Sequence, residues 1–470
     1  MEERRDKIAR RAVVSAVLVA GAGAAWLVAV APAGFGFAGA VGVAVVWCVW
    51  LERHPESHRT IPEPAPDGGS RIVPEPRGAT DIRRAALVLL ILLSSATVVV
   101  AQTPPSPPPA SPPPQTGSES PLEGWMLATT LEGYYQWNVN RPSDRINLLR
   151  AYDTRANVFS IQQAVLLVEK APDVANGRRA GMRLDLQFGQ ATETVQGGAA
   201  NEPRPNVYRH VWQAYGSYIL PLGRDVQIDF GKFASNLGYE TNYAKDNNNF
   251  SRAYLFNFLP FYHSGLRTTI PVNDKLTLMY MLTNGIQQTE DFNNFKSNHV
   301  AAVIKPASKV TWTVNYYFGQ EQPDGGEPDG PDGFFRVFDT YVAFAPTDRA
   351  SFGLDVNRVT SEVTRGGPEG RLTGLGAYAR YLVTTPAALA LRYEWLDDDG
   401  GLFGGVPQVL QEITVTAEHK FSDGFLARGE FRRDWSDTVF FPAHDLELRK
   451  GQNTVLVGLV WWMGNKKGPY

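Results

Sequence analysis

From residue 122 onward the chain alternates apolar and polar residues. In "VTWTVNYYFG", Val310, Trp312, Val314, Tyr316 and Phe318 share one face, and Thr311, Thr313, Asn315 and Tyr317 the other. "ALALRYEW" sets Leu389, Leu391, Tyr393 and Trp395 against Ala390, Arg392 and Glu394. "ITVTAEHK" and "FLARGEFR" repeat the pattern, as do "MRLDLQFG" and "VQIDFG". A period of two marks a strand with two unlike faces. The pattern predicts sixteen strands: 124–138, 156–170, 179–195, 207–220, 224–235, 261–271, 274–286, 298–306, 308–321, 334–345, 347–361, 371–384, 386–397, 410–420, 423–434 and 452–463.

A soluble sandwich also alternates, so the connections must decide. From the fourth strand on, tight turns ("PLGR", "VND", "PAS", "APTD", "TTPA", "FSDG") alternate with long links at 236–260, 287–297, 322–333, 362–370, 398–409 and 435–451. Sorting by parity belongs to a transmembrane antiparallel up-and-down β-barrel, with short turns at the periplasmic end and long loops outside. An even strand number returns both chain ends to one side.

The charges support a wet interior. Arg392, Glu394, Glu412, Glu418, Arg428, Glu430 and Arg432 all oppose the apolar face. A dry core would bury them at several kcal/mol per unpaired ion. Sixteen strands also enclose a space too wide for side chains alone to fill. Trp125, Tyr135, Trp137, Trp395, Trp435 and Trp461 lie near strand ends, as interfacial girdles do.

Ahead of the barrel the sequence changes character. Residues 1–51 hold two hydrophobic helices, Val13–Val30 and Phe35–Leu51, and 52–80 a polar linker. "DIRRAALVLLILLSSATVVVAQTPP" is a signal peptide over 81–101: basic residues, an apolar run, then Val99 and Ala101 before a cut. Residues 102–121 form a proline-rich, extended segment. Exported protein would then begin at Gln102. A signal eighty residues in has two readings. Either translation starts downstream of Met1, with Val73 as a non-ATG start, or residues 1–80 are genuine and the signal acts internally or as a third membrane helix.

Composition narrows the function. The one cysteine, Cys48, precedes the cut, so the exported part has neither disulfides nor a thiolate metal site. After Ala101 there are 34 Lys/Arg against 39 Asp/Glu, a net of −5 with no basic stripe, which argues against nucleic acid. The acid-rich loop "EQPDGGEPDGPDG" (321–333) and "DDDGG" (397–401) lack calcium-loop spacing and read as solvated loops. The exported histidines, His210, His263, His299, His419 and His444, form no catalytic pair. His263 and its neighbour Ser264 point to opposite faces of a strand. No HExxH, GxSxG or P-loop occurs, so no enzyme and no cofactor or metal is expected.

Five stretches carry a resemblance: "LEGYYQWNVNRPSD", "LRAYDTRANVFSIQQAVLLVEKAPD", "RLDLQFGQATE", "WQAYGSYILPLGRDVQIDFGKF" and "FYHSGLRTTIPVNDKLTLMYMLTNG". Through them the body resembles the OmpL-like beta-barrel porin family, well over 122–286 and by pattern to residue 470. The resemblance implies an outer-membrane channel in a Gram-negative-type envelope, but supplies no ligand motif. The last strand resembles an outer-membrane assembly signal, with Gly458, Trp461 and Met463 at offsets 0, 3 and 5, although seven residues follow. The partners expected are outer-membrane lipid, the barrel assembly machinery and small hydrophilic solutes. A non-conducting structural or adhesion barrel is the alternative.

Candidate site residues follow from topology. The link 236–260 is the third long loop and the longest. In general porins the third loop folds inward, so Glu240, Lys245, Asp246 and Arg252 are candidates to line a constriction. Arg380, Arg392, Glu394, Glu412, Arg428, Glu430 and Arg432 are candidates for the facing wall. Crossed charges across a wet gap would orient dipolar solutes. The other reading makes the loop an external cap and pairs the arginines with Glu394, Glu412 and Glu430.

Overall fold

The computed structural model describes residues 124–196, 202–323, 331–444, 446–466 and 469–470. The hydrophobic extension, linker, signal and proline tract read at 1–121 lie outside the described residues.

Sixteen antiparallel strands close into one barrel: β1 (Met126–Asn138), β2 (Phe159–Lys170), β3 (Ala180–Phe188), β4 (Val211–Leu220), β5 (Val226–Ala234), β6 (Tyr262–Asn273), β7 (Leu276–Thr283), β8 (Ser297–Ala307), β9 (Val310–Gln320), β10 (Phe334–Phe344), β11 (Ala350–Glu362), β12 (Glu369–Thr384), β13 (Ala387–Asp398), β14 (Gln408–Ser422), β15 (Phe425–Ser436) and β16 (Gly451–Gly464). Each strand pairs with its chain neighbours. β1 closes on β16, from Ala128 opposite Gly464 to Asn138 opposite Thr454. Closure leaves no unpaired edge, which is what a lipid environment demands of strands. Among the described residues no helix is long and apolar enough to cross a membrane.

The parity of connections extends to the start of the barrel. One end carries the links 171–179, 221–225, 274–275, 308–309, 345–349, 385–386 and 423–424. The other carries eight links, L1 to L8, at 139–158, 189–210, 235–261, 284–296, 321–333, 363–368, 399–407 and 437–450, and all but L6 and L7 are longer than any link at the first end. L8 holds a short hairpin pairing Phe441–Pro442 with Leu448–Arg449.

Two expected boundaries move by four residues or more. The third strand stops at Phe188 rather than 195, and the fourth starts at Val211 rather than 207. Gly189 takes φ +99, where a Cβ would lie 2.9 Å from the Gln162 carbonyl oxygen, so the chain leaves the ladder there. It then forms two short helices, α1 (Ala191–Val195) and α2 (Pro205–Tyr208). Pro205 sits in the first turn of α2, where a missing N–H costs nothing.

Facing follows the alternation. On β1, Thr130, Glu132, Gln136 and Asn138 point inward and are buried, while Leu127 and Leu131 are exposed on the outer surface. Outside, near the short-turn end, Phe421, Phe425 and Trp461 stack at centroid distances of 5.1 and 5.0 Å. This is the aromatic belt expected where a barrel meets lipid headgroups.

Candidate functional site

L3 is not a cap. It enters the barrel and lies on the inner wall. A loop taken out of water must find partners for its backbone N–H and C=O groups, and here charged wall side chains supply them. Gly238 and Tyr239 donate their amides to Asp339 on β10 (3.1 Å) and Asp355 on β11 (3.0 Å). The Ala244 amide donates to Glu132 on β1 at 2.7 Å. Phe250 and Ser251 donate to Glu430 on β15 at 2.8 and 3.2 Å. Tyr254 and Leu255, which open helix α3 (Tyr254–Phe258), donate to Glu394 on β13 at 2.6 and 3.0 Å.

Arginines treat the carbonyls the same way. Arg428 donates to the Ala244, Asn249 and Asn247 oxygens at 2.6, 2.9 and 2.6 Å. Arg392 donates to Ser251 O at 2.7 Å, and Arg432 to Arg252 O at 2.6 Å. Hydrogen bonds to charged groups contribute about 1.5–3 kcal/mol each, so together they hold the loop in one place. Wall glycines add space. A Cβ on Gly458 would lie 2.2 Å from the Phe250 ring, and one on Gly374 2.3 Å from Leu255.

The candidate residues therefore meet, but not across a wet gap. Glu240 of L3 pairs with Arg392 at 2.8 Å and accepts from the Ala253 amide. Arg392 also binds Glu412 at 2.7 Å, and Glu412 lies 3.3 Å from Arg432. Arg428 and Arg380 share Glu418, each at 2.7 Å. Arg252 spans L3 itself, donating to the Thr241, Phe250 and Asn242 carbonyls. Lys245 pairs with Asp246 at 2.7 Å and lies over the Tyr470 ring at 3.7 Å. Burial pushes the Lys245 ammonium down, and the Asp246 carboxylate opposes that. The crossed-charge arrangement expected from sequence is replaced by direct contact: these groups latch the loop to the wall. Arg380, with its side chain 29% exposed, is the least enclosed of the four wall arginines.

Glu132, Asp339 and Asp355 belong to the same latch and were not among the expected residues. Their signal was available: each is a carboxylate at an inward position of a strand whose outer face is apolar. "DDDGG" also finds a use, since the Asp398 carboxylate accepts the amides of Leu402, Phe403 and Gly404 and shapes L7.

At the rim, Glu321 of L5 clasps L4. It accepts from the Ile286 amide (2.7 Å), Gln288 (3.1 Å) and Ser297 Oγ (2.6 Å). Burial pushes its carboxyl from 4.5 up to about 7. A raised carboxyl pKa means that the folded clasp binds the proton more tightly than the open chain. Its stability is then greatest below 4.5 and declines as pH rises to about 7. Hydrogen exchange at the Ile286 amide should accelerate over that window beyond its intrinsic pH dependence, and Glu321→Gln should remove the excess. An excess that persists in the variant would exonerate Glu321.

A cavity of about 230 Å3 remains between the two arms of L3, the inner wall at β4 and β10, and Tyr470.

A closed sixteen-strand barrel with a charged inner wall and an inward third loop defines a porin-type β-barrel. The chain belongs to the family described as Putative beta-barrel porin-2, OmpL-like, which matches residues 126–461. Among solved structures it is similar to Salmonella typhi OmpF in complex with daunomycin, with a TM-score of 0.50 and 11% identity over 72% of this chain and 97% of that one. It is also similar to an anion-selective porin from Comamonas acidovorans (TM-score 0.47, 11% identity, 72% and 98% covered). The in-vitro folded OmpT of Vibrio cholerae is a third (TM-score 0.47, 10% identity, 72% and 97% covered). At such identities the likeness concerns the fold. No curated protein matches the chain. The family points to the bacterial outer membrane.

Proposed function

We propose that this barrel is an outer-membrane porin through which small hydrophilic solutes and ions diffuse passively. The observation that carries the reading is the inward third loop, fixed by wall charges beside a residual cavity. A loop held this way narrows a wide lumen without a moving part. In this reading the eight long links face outside and the seven short turns the periplasm. The extent of the loop's contact, from β1 and β10 to β15, favours one other reading: a sealed, structural barrel.

Planar-bilayer recording separates the two. Correctly folded protein should give stable single-channel steps. Its reversal potential in a salt gradient reads the net inner charge: Arg392, Arg428 and Arg432 have carboxylate partners, whereas Glu394, Glu430, Asp339 and Asp355 are held by backbone amides, so any departure from zero should be toward cations. Persistent silence from folded protein would favour the sealed barrel.

A further inference from the structure

The cavity beside L3 presents an unusual surface for a lumen rich in charge. Glu240 is the one acidic side chain among the described residues on its wall, and it is held by Arg392 with its side chain 3% exposed. Gln213 is also committed: it donates to Asp185 at 2.8 Å and accepts from the Ala234 amide at 3.0 Å. What remains is neutral and largely aromatic. Tyr239 and Tyr341 meet edge to face at 6.3 Å, as do Tyr243 and Tyr470 at 5.8 Å. Thr241 is exposed among them.

We propose that this cavity is a binding site for an uncharged, polyhydroxylated solute the size of a single sugar ring. The proposal rests on the porin reading and names the solute class of that same passage. A charged solute entering here would give up hydration and meet no free opposite charge, which is unfavourable. A purely apolar solute would displace water from the exposed Thr241 hydroxyl and offer it no partner, while the Tyr243 and Tyr341 hydroxyls already donate to Asp185 and to the Asn236 carbonyl oxygen. A sugar matches both demands, because its C–H faces rest on tyrosine rings while its hydroxyls reach the polar groups between them. The size agrees. A cavity of about 230 Å3 admits the ring of one sugar.

The test uses the full barrel in a planar bilayer bathed in KCl, with D-glucose as probe and D-gluconate as a charged solute of similar size. Glucose should reduce the current in a saturable, concentration-dependent way, and gluconate should not. Tyr341→Ala should raise the half-blocking glucose concentration by about tenfold, the loss of one good aromatic contact. Thr241→Val, a change at an exposed position, guards against misfolding and should also weaken the block. If KCl conductance is normal but glucose acts linearly, or gluconate blocks equally, the cavity is no such site and the porin reading survives. If glucose blocks saturably but neither variant weakens the block, the site lies elsewhere and the proposal fails. If folded protein passes no KCl, both readings fall.

Discussion

Replacing Arg392 with alanine should release the third loop from the wall while leaving the barrel closed. The side chain is fully enclosed. Its guanidinium binds Glu412 and Glu240 at 2.7 and 2.8 Å and donates to Ser251 O at 2.7 Å. Removing it leaves the enclosed Glu240 carboxylate without a cation and Glu412 with Arg432 alone at 3.3 Å. Breaking a buried pair from one side typically costs about 3–5 kcal/mol. The cheapest escape is movement of L3, which lets water reach both acids. The strand ladders do not depend on this contact, since Arg392 and Thr414 remain paired through the backbone whatever their side chains. Limited trypsin digestion should therefore cut the variant at Lys245 or Arg252 while the wild type resists, and channel current should become noisier. Arg392→Lys should be intermediate: it keeps the charge but cannot serve three acceptors in a fixed plane. A variant as resistant and as quiet as wild type would show that the remaining latch bonds suffice.

Much of this arrangement was legible in the sequence, and the limits have physical causes. Strand facing was readable where a period of two survives, as in β9: Thr313 and Asn315 inward and Trp312 and Tyr316 outward stand as the alternation places them, whereas β2 breaks it at a register shift where the adjacent Gln162 and Gln163 are both buried. The end of β3 was not readable, because in "QFGQATETV" only a single glycine marks where the backbone turns at Gly189. The third loop stood out by length and rank. Its route did not, because a route depends on which backbone amide finds which carboxylate. Arg428 illustrates the point. Its inward position followed from "FLARGEFR", but besides Glu418 its acceptors are carbonyls of Ala244, Asn247 and Asn249, and no sequence pattern marks a carbonyl as unsatisfied. Gly458 adds a second case. Within β16 it fits a pattern of assembly signals, yet its missing side chain also makes the seat for Phe250.

The largest change in transport should come from shortening that loop. Residues 241–252 make the excursion from β13 to β1 and back to β15, and the two ends lie close together, since the Ala253 amide donates to the Glu240 carboxylate at 2.8 Å. Joining Glu240 to Ala253 through a short glycine-serine link would remove the excursion and keep α3 on Glu394. Closing a shorter loop changes chain entropy only weakly, and the barrel ladders stay as they are, so heat resistance should be nearly unchanged. The freed wall groups, Glu132, Glu430 and Arg428, would face water rather than protein and need no partner. Single-channel conductance should rise severalfold and disaccharides should begin to pass. Adding neutral replacements of Arg380, Arg392, Arg428 and Arg432 to this background should then shift selectivity toward cations, because Glu412 and Glu418 would lose their partners while Asp434 keeps Arg150. Screening makes that shift strongest at low salt, where the Debye length is about 30 Å at 0.01 M against about 10 Å at 0.1 M. The order of variants matters: with the loop in place, the same four replacements would first unlatch it, and a conductance change could not be assigned to charge. A trimmed, heat-resistant barrel whose conductance and size cutoff match wild type would remove L3 from the constriction and leave the narrowest point to another part of the wall.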